Sequence, residues 1–299
     1  MCNYYNSSPT IKNTIFSNNS AEKFGGGVKN YESSPTLLNC SLSANQAEFT
    51  GGIWNGPGSS SVLTNCILWD NSDSDGMDES SQISSSNETS VINYCCIQGW
   101  TGELGGIGNI VADPYFVDAE NEDYHLKSEA WRWDNERQRW HYDKVTSPCI
   151  DAGNPGSPLE NELLTVPDDP NNVWGVNLRI NMGAYGGTVE ASMSPHGASL
   201  LADITNDGLV TMKDFAAQAL YWSPKDRLNG NLLNSYQLSI TNHQSPITKS
   251  MPGDLNRDGL VDAADLVLLA EDWLKQRSDA SPVVNITNPQ DGAILERVE

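Results

Sequence analysis

Near the C-terminus, a short stretch of oxygen-bearing side chains has the spacing that a hard cation requires. Counted from Asp254 as position 1, carboxylate or amide side chains fall at positions 1, 3, 5, 9 and 12, and Gly259 falls at position 6. A Ca²⁺ ion takes about six to eight oxygen ligands, so the chain must wrap around it, and glycine permits the sharp turn. The sequence therefore predicts a calcium loop, with an acidic turn as the alternative. The predicted ligands are Asp254, Asn256, Asp258, Leu260 (through its backbone carbonyl), Asp262 and Asp265.

The same spacing occurs a second time, 51 residues upstream. Gly208 again stands at position 6, and the duplication extends beyond the loops, since Trp222 corresponds to Trp273. Thr205 stands where the other loop has Asn256, so the upstream loop has fewer strong ligands and is expected to bind calcium more weakly. Two calcium sites are therefore predicted. The ligands of the upstream site are Asp203, Thr205, Asp207, Leu209 (through its carbonyl), Thr211 and Asp214.

A helical pattern follows each loop. Neither short unit can bury a core by itself, so the two apolar stripes should pack on each other. Calcium binding would then be coupled to folding, because repelling carboxylates must be gathered before the helices can dock. The stripe residues are Phe215, Ala219 and Trp222 in the first unit and Leu266, Leu269, Ala270, Trp273 and Leu274 in the second.

The loop pattern is that of an EF-hand, and the pair, over residues 199–275, resembles a type I dockerin. The stretches DITNDGLVTMKD and GDLNRDGLVDAAD carry the resemblance, since both have Asp at position 12. It implies an α-helical module with two calcium ions that binds a cohesin-like protein domain. Dockerins commonly contact cohesin through positions 10 and 11, which differ between the copies: Met212–Lys213 in one and Ala263–Ala264 in the other. The spacer of residues 223–253 is longer than is usual in dockerins.

Residues 1–110 contain a repeat with a period of 26 residues. Three copies, SPTIKNTIFSNN, SPTLLNCSLSAN and SSVLTNCILWDN, are followed by a weaker fourth, VINYCCIQ. Short β-type runs with glycine turns at such a period indicate a solenoid. We predict a right-handed parallel β-helix, with a β-sandwich as the alternative. Stacking in register would form an apolar ladder of Phe16, Leu42 and Leu68 and an asparagine ladder of Asn13, Asn39 and Asn65.

The cysteines fit the same interpretation. Cys40 and Cys66 lie two residues before the ladder leucines and should face inward, with Cys95 or Cys96 next in the column. Strands stack at about 4.8 Å, whereas the Cβ atoms of a disulfide are about 3.5–4.5 Å apart. Buried free thiols are therefore expected.

The repeats are similar to the β-helix regions of large secreted bacterial proteins and to pectin-lyase-like proteins, some of which are lyases or hydrolases. ADPYFVDAENEDYHLKSEA, SPCIDAG and INMGAYGGTVEAS are similar to the closing portion of such proteins from planctomycete-like bacteria. The resemblance implies that residues 111–195 finish and cap the solenoid. The Trp-rich residues 129–148 predict an amphipathic hairpin on the solenoid or, alternatively, a sugar-binding strip.

The charge balance limits the possible partners. The chain has 39 acidic and 17 basic residues and a net charge of −22, which argues against nucleic acid and fits divalent cations. No apolar run is long enough to span a membrane. We expect a mainly β protein with four regions: rungs in 1–110, the closing segment in 111–195, the calcium module in 196–280 and the start of an Ig-like domain in 281–299. Both ends interrupt a pattern, so a longer secreted or cell-surface parent is expected.

No catalytic constellation stands out. Lyases of the β-helix type use a Lys or Arg base, but residues 1–110 contain no arginine and only Lys12, Lys23 and Lys29. The acidic residues 70–79 are expected to form a solvated loop or, alternatively, a calcium site. We predict a secreted or cell-surface scaffold, polysaccharide-associated and anchored by a cohesin-type partner. The alternative is a polysaccharide lyase or glycoside hydrolase with its site on the β-helix.

Overall fold

The computed structural model describes residues 1–86, 90–167, 175–222 and 251–277. A solenoid of short parallel strands is followed by two antiparallel hairpins and two helices. The helices are α1 (Glu79–Gln82), α2 (Met212–Ala219) and α3 (Ala263–Glu271). The strands are β1 (Cys2–Tyr4), β2 (Thr10–Lys12), β3 (Ile15–Ser17), β4 (Val28–Tyr31), β5 (Thr36–Leu38), β6 (Ser41–Ser43), β7 (Ile53–Asn55), β8 (Val62–Thr64), β9 (Ile67–Trp69), β10 (Ile83–Ser85), β11 (Val91–Asn93), β12 (Cys96–Ile97), β13 (Phe116–Asp118), β14 (Asp123–Leu126), β15 (Arg132–Asp134) and β16 (Arg139–His141).

The solenoid is built of rungs with three strands each. Successive rungs pair in parallel and form three four-stranded sheets, ordered β1-β4-β7-β10, β2-β5-β8-β11 and β3-β6-β9-β12. The register is the one that the 26-residue repeat predicts, since Phe16 pairs with Leu42 and Leu42 with Leu68. The prediction of a parallel β-helix is confirmed, and the β-sandwich alternative is excluded.

Residues in the left-handed backbone region form a corner of each rung. Asn13, Asn39 and Asn65 have φ angles of 46°, 47° and 56°, and Tyr94 takes their place in the fourth rung with φ 52°. Asparagine tolerates this region because its short polar side chain can hydrogen-bond locally. The asparagine that recurs every 26 residues is thus explained by the backbone conformation of the corner.

The asparagine ladders lie mainly at other positions. The predicted column has one weak link, from Nδ2 of Asn65 to Oδ1 of Asn39 at 3.4 Å. Two other columns form continuous chains of side-chain hydrogen bonds of 2.7–2.8 Å inside the solenoid. The prediction is confirmed in part: these asparagines lie at a turn and their amides bond backbone groups, but in this column only Asn39 and Asn65 bond to each other. The two chains are Asn3–Asn30–Asn55 and Asn19–Asn45–Asn71–Gln82.

Thiols and aliphatic side chains fill the interior. Cys40, Cys66 and Cys95 belong to one fully buried cluster, so Cys95 continues the column. Cys96 pairs in register with Ile67 and belongs to a different cluster. All the cysteines are free, as predicted, and burial raises the pKa of the Cys66 thiol, which keeps it protonated.

Two segments cover the solenoid. Residues 98–112 lie over the last rung, where Tyr94 N donates to Ile107 O at 2.9 Å. The second is residues 181–186, which belong to the closing segment 111–195 that the sequence predicts as a terminal cap. These residues run beside the rungs, at the asparagine corners. Asn13 Nδ2 donates to Ala184 O at 2.9 Å, and Asn39 Nδ2 donates to Asn181 O at 2.9 Å. The corner amides need acceptors outside the solenoid, and this segment supplies them.

The Trp-rich stretch forms the predicted hairpin of β15 and β16. Trp131 and Trp140 pack on a small cluster that contains Val166 and Met193. The hairpin thus contacts the closing segment.

The two loop–helix units share one core. Ile204 and Leu255 from the loops are buried with Ala217 of α2 and Leu269 of α3, and Ile107 of the solenoid end packs against them. No helix in the described part of the chain is long and apolar enough to cross a membrane. The predicted Ig-like start at 281–299 and nearly all of the spacer lie outside the described residues.

Candidate metal centre

In the first loop, two buried carboxylates hold the backbone in a closed turn. Asp203 at position 1 accepts hydrogen bonds from N of Asp207 at 3.1 Å and N of Gly208 at 2.9 Å. Asp214 at position 12 accepts from N of Thr205 at 2.9 Å and N of Thr211 at 2.8 Å. The first and last predicted ligands therefore already define the shape of the loop.

The second loop repeats this arrangement bond for bond. Asp254 accepts from N of Asp258 at 3.0 Å and N of Gly259 at 2.9 Å. Asp265 accepts from N of Asn256 at 3.0 Å and N of Asp262 at 2.9 Å. The sequence duplication thus corresponds to a duplicated geometry, which an acidic turn of arbitrary composition would not require.

Position 9 of each loop begins the helix that follows. Thr211 caps α2 and Asp262 caps α3, and each forms a reciprocal capping box with the aspartate at position 12. The aspartate at position 12 is therefore both a predicted metal ligand and part of the helix start. This dual role fits Asp, whose shorter side chain keeps the helix close to the loop.

The carboxylates of the first loop converge on one point. Oxygen atoms of Asp203, Asp207 and Asp214 all lie within 4.8 Å of one another. Within the described residues, no other group of three His, Cys, Asp or Glu side chains meets this condition. Lys213 Nζ donates to Asp207 Oδ2 at 2.7 Å in the first loop, and Asn256 Nδ2 donates to Asp258 Oδ2 at 2.9 Å in the second.

The remaining predicted ligands lie at the rim. Leu209 forms an antiparallel bridge with Gln276, which ties position 7 of the first loop to the chain after α3. Leu260 at the same position of the second loop is exposed. The relative affinity of the two loops, predicted to favour the second, stays a prediction.

The electrostatics of the loops suit a cation. Burial raises the pKa of Asp203 to about 6, with the nearby carboxylate of Asp214 adding to the rise and Arg179 opposing it. Burial likewise raises the pKa of Asp254. Buried carboxylates at short distance repel each other, and a divalent ion would offset that repulsion.

The donor set fits Ca²⁺ in kind. All the side chains gathered in the first loop offer oxygen, the ligand that hard cations prefer. The glycines at position 6, Gly208 and Gly259, have φ angles of 85° and 88°, which side-chain-bearing residues rarely adopt. The residues present could therefore hold the ion at the turn that the pattern predicts.

Position 4 of each loop contacts the solenoid and its closing segment. Asn206 Nδ2 donates to Gly108 O at 2.8 Å and to Ala152 O at 2.7 Å. Arg257 donates to Pro155 O at 3.1 Å and to Leu178 O at 2.7 Å. These contacts could not be predicted from the sequence, since nothing in the loop spacing marks position 4 as a contact residue.

A buried arginine joins the first loop to the fourth rung. Arg179 donates to Asp203 O at 2.6 Å and to Gly153 O, and its guanidinium lies 5.7 Å from the ring centroid of Tyr94. The hydroxyl of Tyr94 donates to Ile204 O at 3.0 Å. The backbone of the first loop is thus fixed from two sides by residues outside the module.

The predicted apolar stripes are only partly correct. Helix α3 ends at Glu271, so Trp273 and Leu274 follow it and are 38% and 73% exposed. Trp222 is 39% exposed. The loops contribute the buried residues of the shared core, so the helices need a shorter apolar face than the periodicity suggests.

The other candidate sites give weaker signals. Asp73 accepts from N of Asp75 at 2.9 Å, and Asp78 caps α1, so the acidic residues 70–79 form a hydrogen-bonded loop. In the hairpin, Trp133 and Trp140 pack edge to face at 6.1 Å, and both are half-buried. A sugar-binding role for this hairpin stays an untested alternative.

Comparison with known proteins gives one match. Residues 59–153, about a third of the chain, match a family model described as disaggregatase related. The match covers β8 and β9 of the third rung, the fourth rung and both hairpins. Neither the curated proteins nor the solved structures compared give a match. These comparisons provide no support for the resemblance to dockerins or to secreted planctomycete-like proteins.

Proposed function

We propose that the protein is a secreted or cell-surface scaffold that associates with polysaccharide and is anchored by its calcium module. In this proposal, two Ca²⁺ ions fold a dockerin-like pair of loops, and the module binds a cohesin-type protein domain. The β-helix provides the polysaccharide-associated surface. The observation that carries the proposal is the duplicated hydrogen-bond pattern of the two loops.

The exposed residues of the module support a protein partner. At positions 10 and 11, Met212, Lys213, Ala263 and Ala264 are all exposed. Met212 is 62% exposed and Val267 of α3 is 57% exposed, which leaves apolar side chains available on both helices. Apolar side chains at accessible helix starts could take part in an interface with a partner domain.

The β-helix and its match support the polysaccharide part. The family description, disaggregatase related, indicates proteins linked to the dispersal of aggregates. A solenoid offers a long repetitive face, which suits a repetitive polymer. The acidic chain, with a net charge of −22, supports a role outside the cytoplasm, where divalent cations are abundant.

Calcium-dependent capture tests the anchoring function. The full chain would be passed over a panel of immobilised cohesin domains in calcium and again in excess chelator. We expect retention in calcium only, and loss of retention when Asp207→Asn and Asp258→Asn are combined. Asp272→Asn, which alters an exposed ion pair outside both loops, should bind as the unmodified chain does. Retention that persists in chelator would contradict the proposal.

A second candidate function is enzymatic. The family description favours it, because dispersal of an aggregate can be brought about by cleavage of its polymer. The protein would then be a polysaccharide lyase or glycoside hydrolase recruited by its module. Incubation with polygalacturonate and alginate, followed by reducing-end and unsaturated-product assays, separates the two: new chain ends favour the enzyme, and unchanged polymer favours the scaffold.

A further inference from the structure

The first aspartate-rich loop holds a basic side chain against one of its carboxylates. Lys213 Nζ donates to Oδ2 of Asp207, at 2.7 Å, and Asp207 is one of the three carboxylates whose oxygen atoms lie within 4.8 Å of one another. The other two, Asp203 and Asp214, are buried and accept backbone N–H groups. The ammonium group therefore contacts the one exposed member of the group that is predicted to bind the ion.

The place of Lys213 in its helix is unfavourable without this contact. Lys213 is the second residue of α2, and the N-terminus of a helix has a partial positive charge that disfavours a cation. The hydrogen bond to Asp207, with the charges of all three carboxylates, raises the pKa of Lys213 and keeps it charged at neutral pH. The carboxylates of the loop thus offset the unfavourable position of this charge at the helix start.

The second loop has the same geometry without this contact. Its residue at position 11 is Ala264, and Asp258 Oδ2 accepts from the neutral amide of Asn256. Among the described residues, no Lys, Arg or His nitrogen forms an ion pair with a carboxylate of this loop. Arg257, which lies within it, donates to backbone carbonyls of the closing segment instead. The two loops therefore differ in whether a cation of the chain occupies a ligand carboxylate.

We propose that Lys213 competes with calcium for the first loop. A divalent ion entering among the three carboxylates meets a like charge already bonded to one of their oxygens, and the two cations repel each other. The Lys213 side chain is 72% exposed, so it can move into solvent when the ion enters. The inference rests on the calcium part of the proposed function and concerns the regulation of that site.

The competition couples calcium to the partner surface. Lys213 follows Met212, which is 62% exposed at the start of α2. Calcium in the first loop would release the ammonium group next to this apolar side chain, where an acidic group of a protein partner could pair with it. Coupling between two binding events is reciprocal, so a partner that takes up Lys213 would raise the calcium affinity of the first loop by the same factor.

Calcium titration of the full chain by calorimetry tests the competition. The first loop is measured by itself in an Asp258→Asn background, which disables the second. We expect Lys213→Gln to tighten calcium binding there about threefold, the effect of one exposed ion pair. Lys213→Arg, which keeps the charge, should bind nearly as the parent does. The difference should shrink as sodium chloride is added, because salt screens an exposed pair.

The second loop allows the reciprocal experiment. In an Asp207→Asn background, Ala264→Lys places an ammonium group where the repeated geometry brings it near Asp258, and it should weaken calcium binding about threefold. Lys275→Gln is the matched control, since Lys275 forms an exposed ion pair of equal length, 2.7 Å, with Asp272 outside both loops. This control should leave the affinity of either loop unchanged.

The possible results separate the competition from calcium binding itself. If the unmodified chain binds no calcium, the calcium part of the proposed function fails and the competition fails with it. If the chain binds calcium and Lys213→Gln binds no more tightly, the calcium sites stand and the competition is overturned. Weaker binding by Lys213→Gln would show that the ammonium group prearranges the loop. Equal tightening by Lys275→Gln would assign the effect to net charge and would also overturn the proposal.

Discussion

Glu162 is a buried carboxyl that shapes the segment beside the solenoid. Its Oε1 atom accepts from N of Asn181 and N of Gly187, both at 2.8 Å, while Oε2 is buried with no partner among the described residues. Burial raises the pKa of Glu162 to about 8, although the two backbone donors oppose the rise. The residue is therefore expected to be protonated in the folded protein at pH values where the unfolded chain has released its proton.

This difference predicts a pH-dependent stability. A raised folded pKa means that the contribution of Glu162 is fully present below its ordinary pKa and is lost as the pH rises toward about 8. Glu162→Gln should remove this dependence, so the difference in unfolding free energy between variant and parent should shift in favour of the variant between pH 5 and pH 8. The slope cannot exceed about 1.4 kcal/mol for each pH unit. Urea unfolding at several pH values measures it.

Glu160→Gln controls for the loss of a carboxylate nearby. Glu160 is close to the surface, where it pairs with Lys12 of β2. Parallel pH profiles for the parent and Glu162→Gln would show that the buried carboxyl has an ordinary pKa.

The residues that close the two loops could be predicted one by one because their spacing is local. Positions 1 to 12 of a loop fix one another, so the sequence alone marks Asp203 and Asp214, which hold the first loop closed. Glu162 and Arg179 could not be found in this way, since their partners are backbone groups far along the chain. Only the folded chain brings such groups together.

At the scale of elements, the 26-residue period of the repeat was enough to predict the strands of the solenoid and their register. The repeat predicts which residues stack, but it does not say which asparagine column faces inward. Asn45 and Asn39 both recur every 26 residues, and only the corner conformation of Asn39 separates them. The helices were predicted too long, because a periodic pattern continues past Glu271 although the helix does not.

The interior asparagine ladder should be costly to interrupt. Asn45 is fully buried, accepts from Nδ2 of Asn19 and donates to Asn71 Oδ1 and Phe16 O at 2.8 Å. Asn45→Ala leaves these groups unsatisfied, and we expect a loss of unfolding free energy on the order of 2 kcal/mol or more. Asn19→Ala, at the exposed end of the same ladder, should cost less. Equal losses in denaturant titrations would contradict the ladder's role.

At the scale of the whole molecule, the two aspartate-rich loops and the solenoid are packed together. Arg179, Asn206 and Arg257 connect loop backbone or side chains to groups outside the module. Ile107 joins the core of the solenoid end to that of the helices. From the sequence, the loop–helix pair was expected to be a module separate from the solenoid, because the repeats and the loops each have a pattern of their own. The contacts between the two follow no sequence pattern, so they could not be predicted.

Calcium should therefore stabilise the solenoid as well as the module. We expect one thermal transition whose temperature rises with calcium, because each occupied site adds about 2.7 kcal/mol to the unfolding free energy when the ion is at about a hundred times its dissociation constant. Arg257→Gln, which removes two contacts to the closing segment, should reduce the calcium-dependent rise in the unfolding temperature of the solenoid. Arg139→Gln, in the exposed part of the hairpin, should leave it unchanged. Separate transitions, with only one sensitive to calcium, would contradict the coupling.

Calorimetric titration of the full chain with calcium, with circular dichroism recorded in parallel, tests most directly whether the two loops bind the ion. We expect two binding events and a gain in helicity. Asp207→Asn should weaken or remove one event and Asp258→Asn the other, while Asp272→Asn should change neither. No heat of binding and no change in helicity at millimolar calcium would contradict calcium binding, and would reduce both loops to acidic turns that cap two helices.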